Sequence, residues 1–329
     1  MRAPSFWNKE GGALPRLLSP FSRLFAAAAE RRAAQPGWRA PVPVICCGNA
    51  TVGGAGKTTL ALDLGRRLNA RNVVLHFLIR GYGGKAKTTR RVVPGDTAAL
   101  VGDEALLLNE VAPTWIGGDR ADSARHAVTQ GARVLVMDDG LQNPSLVRDL
   151  ALLVVDGATG FGNGLVMPAG PLREPVAAAA ARSHAVVLIG EDATGALAKL
   201  PSELPVLRAR LRPGPEMLNL AGRRVLAFAG IASPDKFFTS LTEAGALLVG
   251  RAGFADHHPF TAAEVNYLIE QATKVNAVVA TTAKDAVRLP AELRQKVLIT
   301  GVDLEWHDPN EIEALLATLL AMPRPSVRG

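Results

Sequence analysis

The chain has 329 residues, 48% hydrophobic and 20% charged, and 37 Lys and Arg against 30 Asp and Glu leave a formal net charge of +7. That balance excludes a disordered tail, a collagen-like fibre and a coiled coil, and the length suits about two domains with cores of their own. The basic surplus suits an anionic partner (nucleic acid, a phosphorylated small molecule or an acidic bilayer) without choosing among them.

In chain order, the first element lies within residues 6–32. Leu14, Leu17, Leu18, Phe21, Leu24 and Phe25 recur at helical spacing, interleaved with Arg16, Arg23, Arg31 and Arg32. The pattern predicts a helix with one apolar face, which Pro20 is expected to kink or restart. It lacks the unbroken apolar core of a secretory signal. Such a basic amphipathic helix either lies in a membrane interface or docks on a domain core. No apolar run approaches the roughly 18 residues that span a bilayer, so no transmembrane helix is expected.

A strand is predicted at 44–47, then a glycine-rich stretch at 48–56, a helix over 57–70 and a strand at 73–79. Cys46 and Cys47 are adjacent, which argues against a disulfide framework and for a reducing compartment. Gly102-Asp103-Glu104 precedes an apolar helical stretch, and Asp119-Arg120 opens another. Strands at 134–137 and 150–155 run into Asp138-Asp139 and Asp156. The alanine run at 177–181 reads as helix. Pro213, Gly214 and Pro215 mark a boundary within 208–219. Beyond it come a strand at 225–229, a helix at 234–244, a strand at 277–281, a helix at 309–320 and a Pro/Arg-rich end expected to fray. Strands alternating with helices predict a P-loop NTPase-like parallel sheet flanked by helices, with a second, smaller α/β domain. The expected division is 1–35, 36–212 and 213–329.

The strongest local signal is Thr51-Val52-Gly53-Gly54-Ala55-Gly56-Lys57-Thr58. It follows a predicted strand and opens a predicted helix, the setting of a P-loop. Glycines let backbone N–H groups turn toward phosphate oxygens, and the helix N-terminus adds partial positive charge. Lys57 would reach the β- and γ-phosphates of ATP, and Thr58 would place its hydroxyl on Mg²⁺. The first position of the usual pattern is Thr51 rather than Gly. Asp138 and Asp139 end a buried strand, where an acidic residue anchors the metal; a turn or helix cap is the plainer alternative for that pair.

Together Gly48-Asn49 through Lys57-Thr58, Arg80-Gly81-Tyr82-Gly83, Gly102-Asp103-Glu104, Asp138-Asp139-Gly140-Leu141-Gln142, Pro171-Leu172-Arg173-Glu174 and Asp256-His257-His258-Pro259 resemble the tetraacyldisaccharide 4'-kinase family. The resemblance covers most of the chain, in order. It implies transfer of the γ-phosphate of ATP to the 4'-hydroxyl of a tetraacylated glucosamine disaccharide 1-phosphate, a late step in making lipid A. It also implies a peripheral protein on the cytoplasmic face of the inner membrane, which favours the membrane reading of residues 6–32. Three positions depart from the family: Leu141 and Asn143 stand where Phe and His are usual, and Thr59 where Pro is frequent.

The resemblance makes Asp103 the residue that accepts a proton from, or orients, the substrate hydroxyl, paired with His257 or His258, with a slight preference for His257. The plainer reading of Asp103 is a helix cap, and of the histidines, surface groups in a turn. Arg80, Arg120 and Arg173 suit bidentate phosphate contacts, with Gln142 and Glu174 as further substrate candidates and Lys284 as a lesser one. Chemistry at the histidines requires the second domain to fold over the first and exclude water. Competing readings are a soluble P-loop kinase or ligase on a small metabolite, and a membrane-recruited nucleotide switch. Nucleic acid is not expected, because the basic residues are dispersed without stacking aromatics; no obligate protein partner is expected.

Overall fold

The structure, a computed structural model, describes residues 4–9, 11–86 and 88–323; the end expected to fray lies largely outside the described residues. Helix α1 (Ala13–Ala33) is followed by β1 (Val44–Gly48), α2 (Lys57–Ala70), β2 (Leu75–Ile79), β3 (Arg90–Arg91), α3 (Ala98–Val101), α4 (Asp103–Asn109), β4 (Thr114–Ile116) and α5 (Arg120–Thr129). Then come β5 (Val134–Asp138), β6 (Leu150–Asp156), α6 (Val176–Ala181), β7 (Ala185–Ile189) and β8 (Val206–Pro213). With β13 (Val302–Trp306) from near the end of the chain, these strands build a nine-stranded sheet whose order is β-strands 13, 8, 7, 6, 1, 5, 2, 4, 3. Its strands pair in parallel except at the two edges. Val134-Leu135-Val136-Met137 is apolar without alternation because helices cover both faces of such a sheet. Accordingly β1, β2, β5 and β7 are buried at every position.

A second, four-stranded parallel sheet takes β9 (Arg224–Ala229), β10 (Leu247–Gly253), β11 (Val278–Thr282) and β12 (Leu298–Thr300), in the order 10, 9, 11, 12. Short α7 (Pro215–Leu218) leads into it, and α8 (Pro234–Glu243), α9 (Ala262–Lys274), α10 (Ala283–Ala286) and α11 (Ala291–Arg294) connect its strands. The two sheets have separate apolar cores, and we call them the large and small lobes.

The expected division at 213–329 is corrected at its far end. Strand β13 (Val302–Trp306) pairs antiparallel with β8 in the large sheet, and Ile312, Leu316 and Leu319 of α12 (Pro309–Ala321) enter the large lobe's core. Strand β8 itself runs through the start of the expected boundary. Its sequence, Val-Leu-Arg-Ala-Arg-Leu-Arg-Pro, is half exposed, so its charges conceal a sheet-edge strand.

Helix α1 continues through Pro20 as one element and does not restart. It docks by its small and polar side: Ser22 Oγ donates to Val166 O (2.7 Å) and accepts from Ala169 N (3.2 Å). Its apolar face points outward, leaving Leu17 71%, Phe21 60% and Leu24 70% exposed.

Candidate active site

The glycine-rich stretch crosses from β1 to α2. Gly56, at φ +87°, caps α2, and a Cβ there would stand 2.5 Å from Ile189 Cδ1. A second segment braces the loop: Val52 N donates to Pro171 O (2.8 Å), Arg173 N donates to Ala50 O (2.7 Å), and Thr51 bridges to Leu172. Thr51 Oγ1, in the position usual for glycine, accepts from Asn49 Nδ2 at 2.9 Å. The Lys57 side chain is buried; its Nζ donates to Gly53 O (3.3 Å) and lies 3.7 Å from Asp139 Oδ1.

Strand β5 delivers the acidic pair beside this loop. Thr58 Oγ1 donates to Asp138 Oδ2 at 2.8 Å, while the buried Asp138 Oδ1 has no hydrogen-bond partner among the described residues. Burial pushes the Asp138 carboxyl up to about 7, against the pull of Lys57 and the Thr58 hydrogen bond. Asp139 turns the other way, at φ +54°. Arg173 Nη1 donates to both its oxygens at 2.8 and 2.9 Å. Burial disfavours its charge too, but Lys57 and Arg173 together hold Asp139 below the usual carboxylate range. Arg120, the first residue of α5, is almost wholly buried and donates to Gly117 O, and its Nε has no hydrogen-bond partner among the described residues. Burial lowers its pKa to about 10 although Asp139 and Asp138 attract its charge.

The helix-cap alternative for Asp103 is not realised. Gly102, at φ +90°, caps α4, and Asp103 is the first helical residue, making no capping bond. Its buried carboxylate instead meets the small lobe: His257 Nδ1 lies 2.8 Å from Asp103 Oδ2, and Arg288 Nε lies 3.3 Å from the same oxygen. His258 is excluded from that pairing. Its Nε2 lies 3.0 Å from Glu264 Oε1, and its ring packs against Phe254 and Phe260. One residue on, Glu104 Oε1 accepts from Lys284 Nζ at 3.2 Å, and the Glu104 charge reaches Asp138. Between the lobes opens a cleft of about 1180 Å³ that Asp103, His257 and Arg288 line.

The remaining sequence candidates divide. Arg80 is exposed just beyond the end of β2. Gln142 Nε2 donates to Asn49 O (2.8 Å) and Glu174 Oε1 (2.7 Å), tying the loop to the 171–174 segment. Glu174 is buried, and Gln142 and Arg182 each donate to one of its oxygens. Sequence reasoning missed Arg288, whose partners Gly230, His258 and Asp103 are distant in the chain, and Arg182, whose partner Glu174 is near in sequence; neither arginine lies in a glycine-rich or strand-end motif.

Loop, buried carboxylate and sheet order define a P-loop-type α/β fold. Comparison with known proteins makes this particular. The family described as Tetraacyldisaccharide-1-P 4'-kinase matches residues 14–321, and the chain belongs to that family. Curated relatives named Tetraacyldisaccharide 4'-kinase include one from Gluconacetobacter diazotrophicus, 54% identical over 96% of this chain and 97% of the relative. Another, from Rhodospirillum centenum, is 52% identical over 98% and 97%. Among solved structures, "apo" form LpxK from Aquifex aeolicus in complex with ATP matches with a TM-score of 0.76. At 24% identity it covers 94% of this chain and 100% of that one, a likeness of fold.

Proposed function

We propose that this chain transfers the γ-phosphate of ATP to the 4'-hydroxyl of a tetraacylated disaccharide 1-phosphate in lipid A biosynthesis, working at the cytoplasmic face of the inner membrane. The carrying observation is the Asp103–His257 contact, in which two lobes contribute one side chain each to a carboxylate–imidazole pair. A module that only bound nucleotide would have no use for such a pair; a kinase that must activate a hydroxyl does.

In this reading the loop amides from Thr51 to Thr58 and the Lys57 ammonium cradle the polyphosphate, since phosphoryl transfer is mainly positioning and charge neutralisation. The residues fit Mg²⁺. A hydroxyl and a buried carboxylate oxygen without a hydrogen-bond partner among the described residues are hard oxygen donors, and Mg²⁺ takes one or two such protein ligands with phosphates and water completing its shell. Thr58 and Asp138 would hold it, Asp139 beside them, and it would neutralise charge on the transferring group. Asp103 takes the proton of the acceptor hydroxyl while His257 fixes the carboxylate's orientation. Arg173 and Arg120 steady the acidic pair, and Arg80 offers an exposed cation to an incoming phosphate. The interlobe cleft receives the sugar. The outward apolar face of α1, flanked by arginines, rests in the membrane interface. Among the described residues no helix is long and apolar enough to cross a membrane, so this attachment is to one leaflet.

The decisive assay incubates the purified chain with labelled ATP, Mg²⁺ and tetraacyl disaccharide 1-phosphate in mixed micelles. Label is expected at the 4' position, and Lys57→Ala should reduce it about 10³-fold or more. Absence of label at that position in the unaltered protein would refute the proposal.

A further inference from the structure

We infer that Arg288 is a positioning residue that holds Asp103 and His257 in alignment across the interlobe cleft; the inference rests on the catalytic reading of that pair given above. The Arg288 side chain is only 4% exposed. Its guanidinium reaches in two directions. Toward the large lobe, Nε lies 3.3 Å from Asp103 Oδ2. Within the small lobe, Nη2 donates to Asp285 Oδ1 (2.7 Å) and Gly230 O (3.0 Å), and Nη1 donates to His258 O (3.1 Å). Nε also donates to Lys284 O (3.3 Å), and the guanidinium stands over the Phe260 ring.

Two of these partners set where His257 sits. The Gly230 carbonyl that Arg288 grips also accepts from His257 N at 3.0 Å. The His258 carbonyl is one residue beyond. His257 itself is held at φ +61°, in the left-handed region that a non-glycine residue enters only when its surroundings impose it. Asp285, fully buried, completes the frame by accepting from Gly230 N at 2.9 Å. Arg288 therefore fastens the backbone around the imidazole and also touches the carboxylate oxygen that the imidazole meets. Only a planar fork with several N–H donors can make these contacts at once; a lysine offers a single nitrogen. A purely structural arginine would be satisfied by Asp285 and the small-lobe carbonyls, and would have no reason to reach the large lobe's Asp103.

The test measures kcat, both KM values and Tm for the full chain carrying Arg288→Lys or Arg288→Gln, each also combined with Asp103→Asn. Arg288→Gln should lower kcat about 10²-fold with both KM values within about threefold of the parent, and Arg288→Lys should recover part of the loss. In the Asp103→Asn background either change should alter kcat less than about twofold, because residues acting through one another are not additive. Should Arg288→Gln fail to fold, Arg288→Lys, which keeps the buried charge, decides alone. Equal fold-losses in both backgrounds, or a parental kcat in Arg288→Lys while Asp103→Asn is crippled, would overturn this inference and leave the catalytic pair standing. A parental kcat in Asp103→Asn would overturn the pair and this inference with it.

Discussion

His257 and His258 are neighbours in sequence with unlike surroundings, one at Asp103 across the cleft and the other at Glu264 in its own lobe. Replacing His257 by Ala should lower kcat about 10²-fold with the KM for ATP little changed. His258→Ala should cost stability and leave kcat within about threefold; the reverse ranking in steady-state kinetics would reassign the pair. The two residues look alike in the sequence because the turn at φ +61° that separates them is imposed by distant groups. A third histidine, His76, is buried in β2, where Trp115 Nε1 donates to its Nδ1 at 3.2 Å. Burial, aided by the charge of Arg91, pulls its pKa from 6.5 down to about 4. Between those values the unfolded chain binds a proton that the folded chain does not, so stability falls as pH drops through this window. His76→Gln should flatten that acid slope, sparing about 3 °C of Tm between pH 6.5 and 4.5. Parallel melting curves for the two proteins would show that this imidazole is not the source.

At the scale of the element, α1 shows what a local pattern can and cannot convey. Its apolar spacing is legible because neighbours three and four apart share a face. Whether that face packs inward is not legible, since it depends on Val166 and Ala169, more than a hundred residues away. The observed docking by Ser22 leaves Leu17, Phe21 and Leu24 outward. Leu17→Asp with Leu24→Asp should therefore lower turnover on substrate held in lipid vesicles about tenfold or more by weakening interfacial binding. Tm and ATP affinity should stay as they are, and co-sedimentation with vesicles should fall in parallel. Undiminished sedimentation would assign the face another role. The phosphate loop is the opposite case. Its glycines, Lys57 and Thr58 do their work within eight residues, so spacing alone marks them. Arg288 and the β8–β13 pair depend on long-range pairing and leave no such mark.

For the molecule as a whole, the path of the chain matters more than any one motif. It leaves the large sheet along β8, builds the small lobe, and returns along β13 beside the strand by which it left. Residues 302–321 thus belong energetically to the large lobe. Leu316→Ala should cost about 2–4 kcal/mol and speed hydrogen exchange in β7 and β8, whose side chains share its core, while β9–β11 keep their protection. Uniform loss across both lobes would instead mean that they unfold as one. The segment between α1 and the phosphate loop carries a different consequence. Residues 166 and 169 hold α1, and 171–173 run along residues 50–52 with direct backbone contacts. No slack tether separates the two. Whatever plane α1 rests upon, the glycine-rich loop stands at a preset height and tilt above it, as a gauge block sets a tool above its bench.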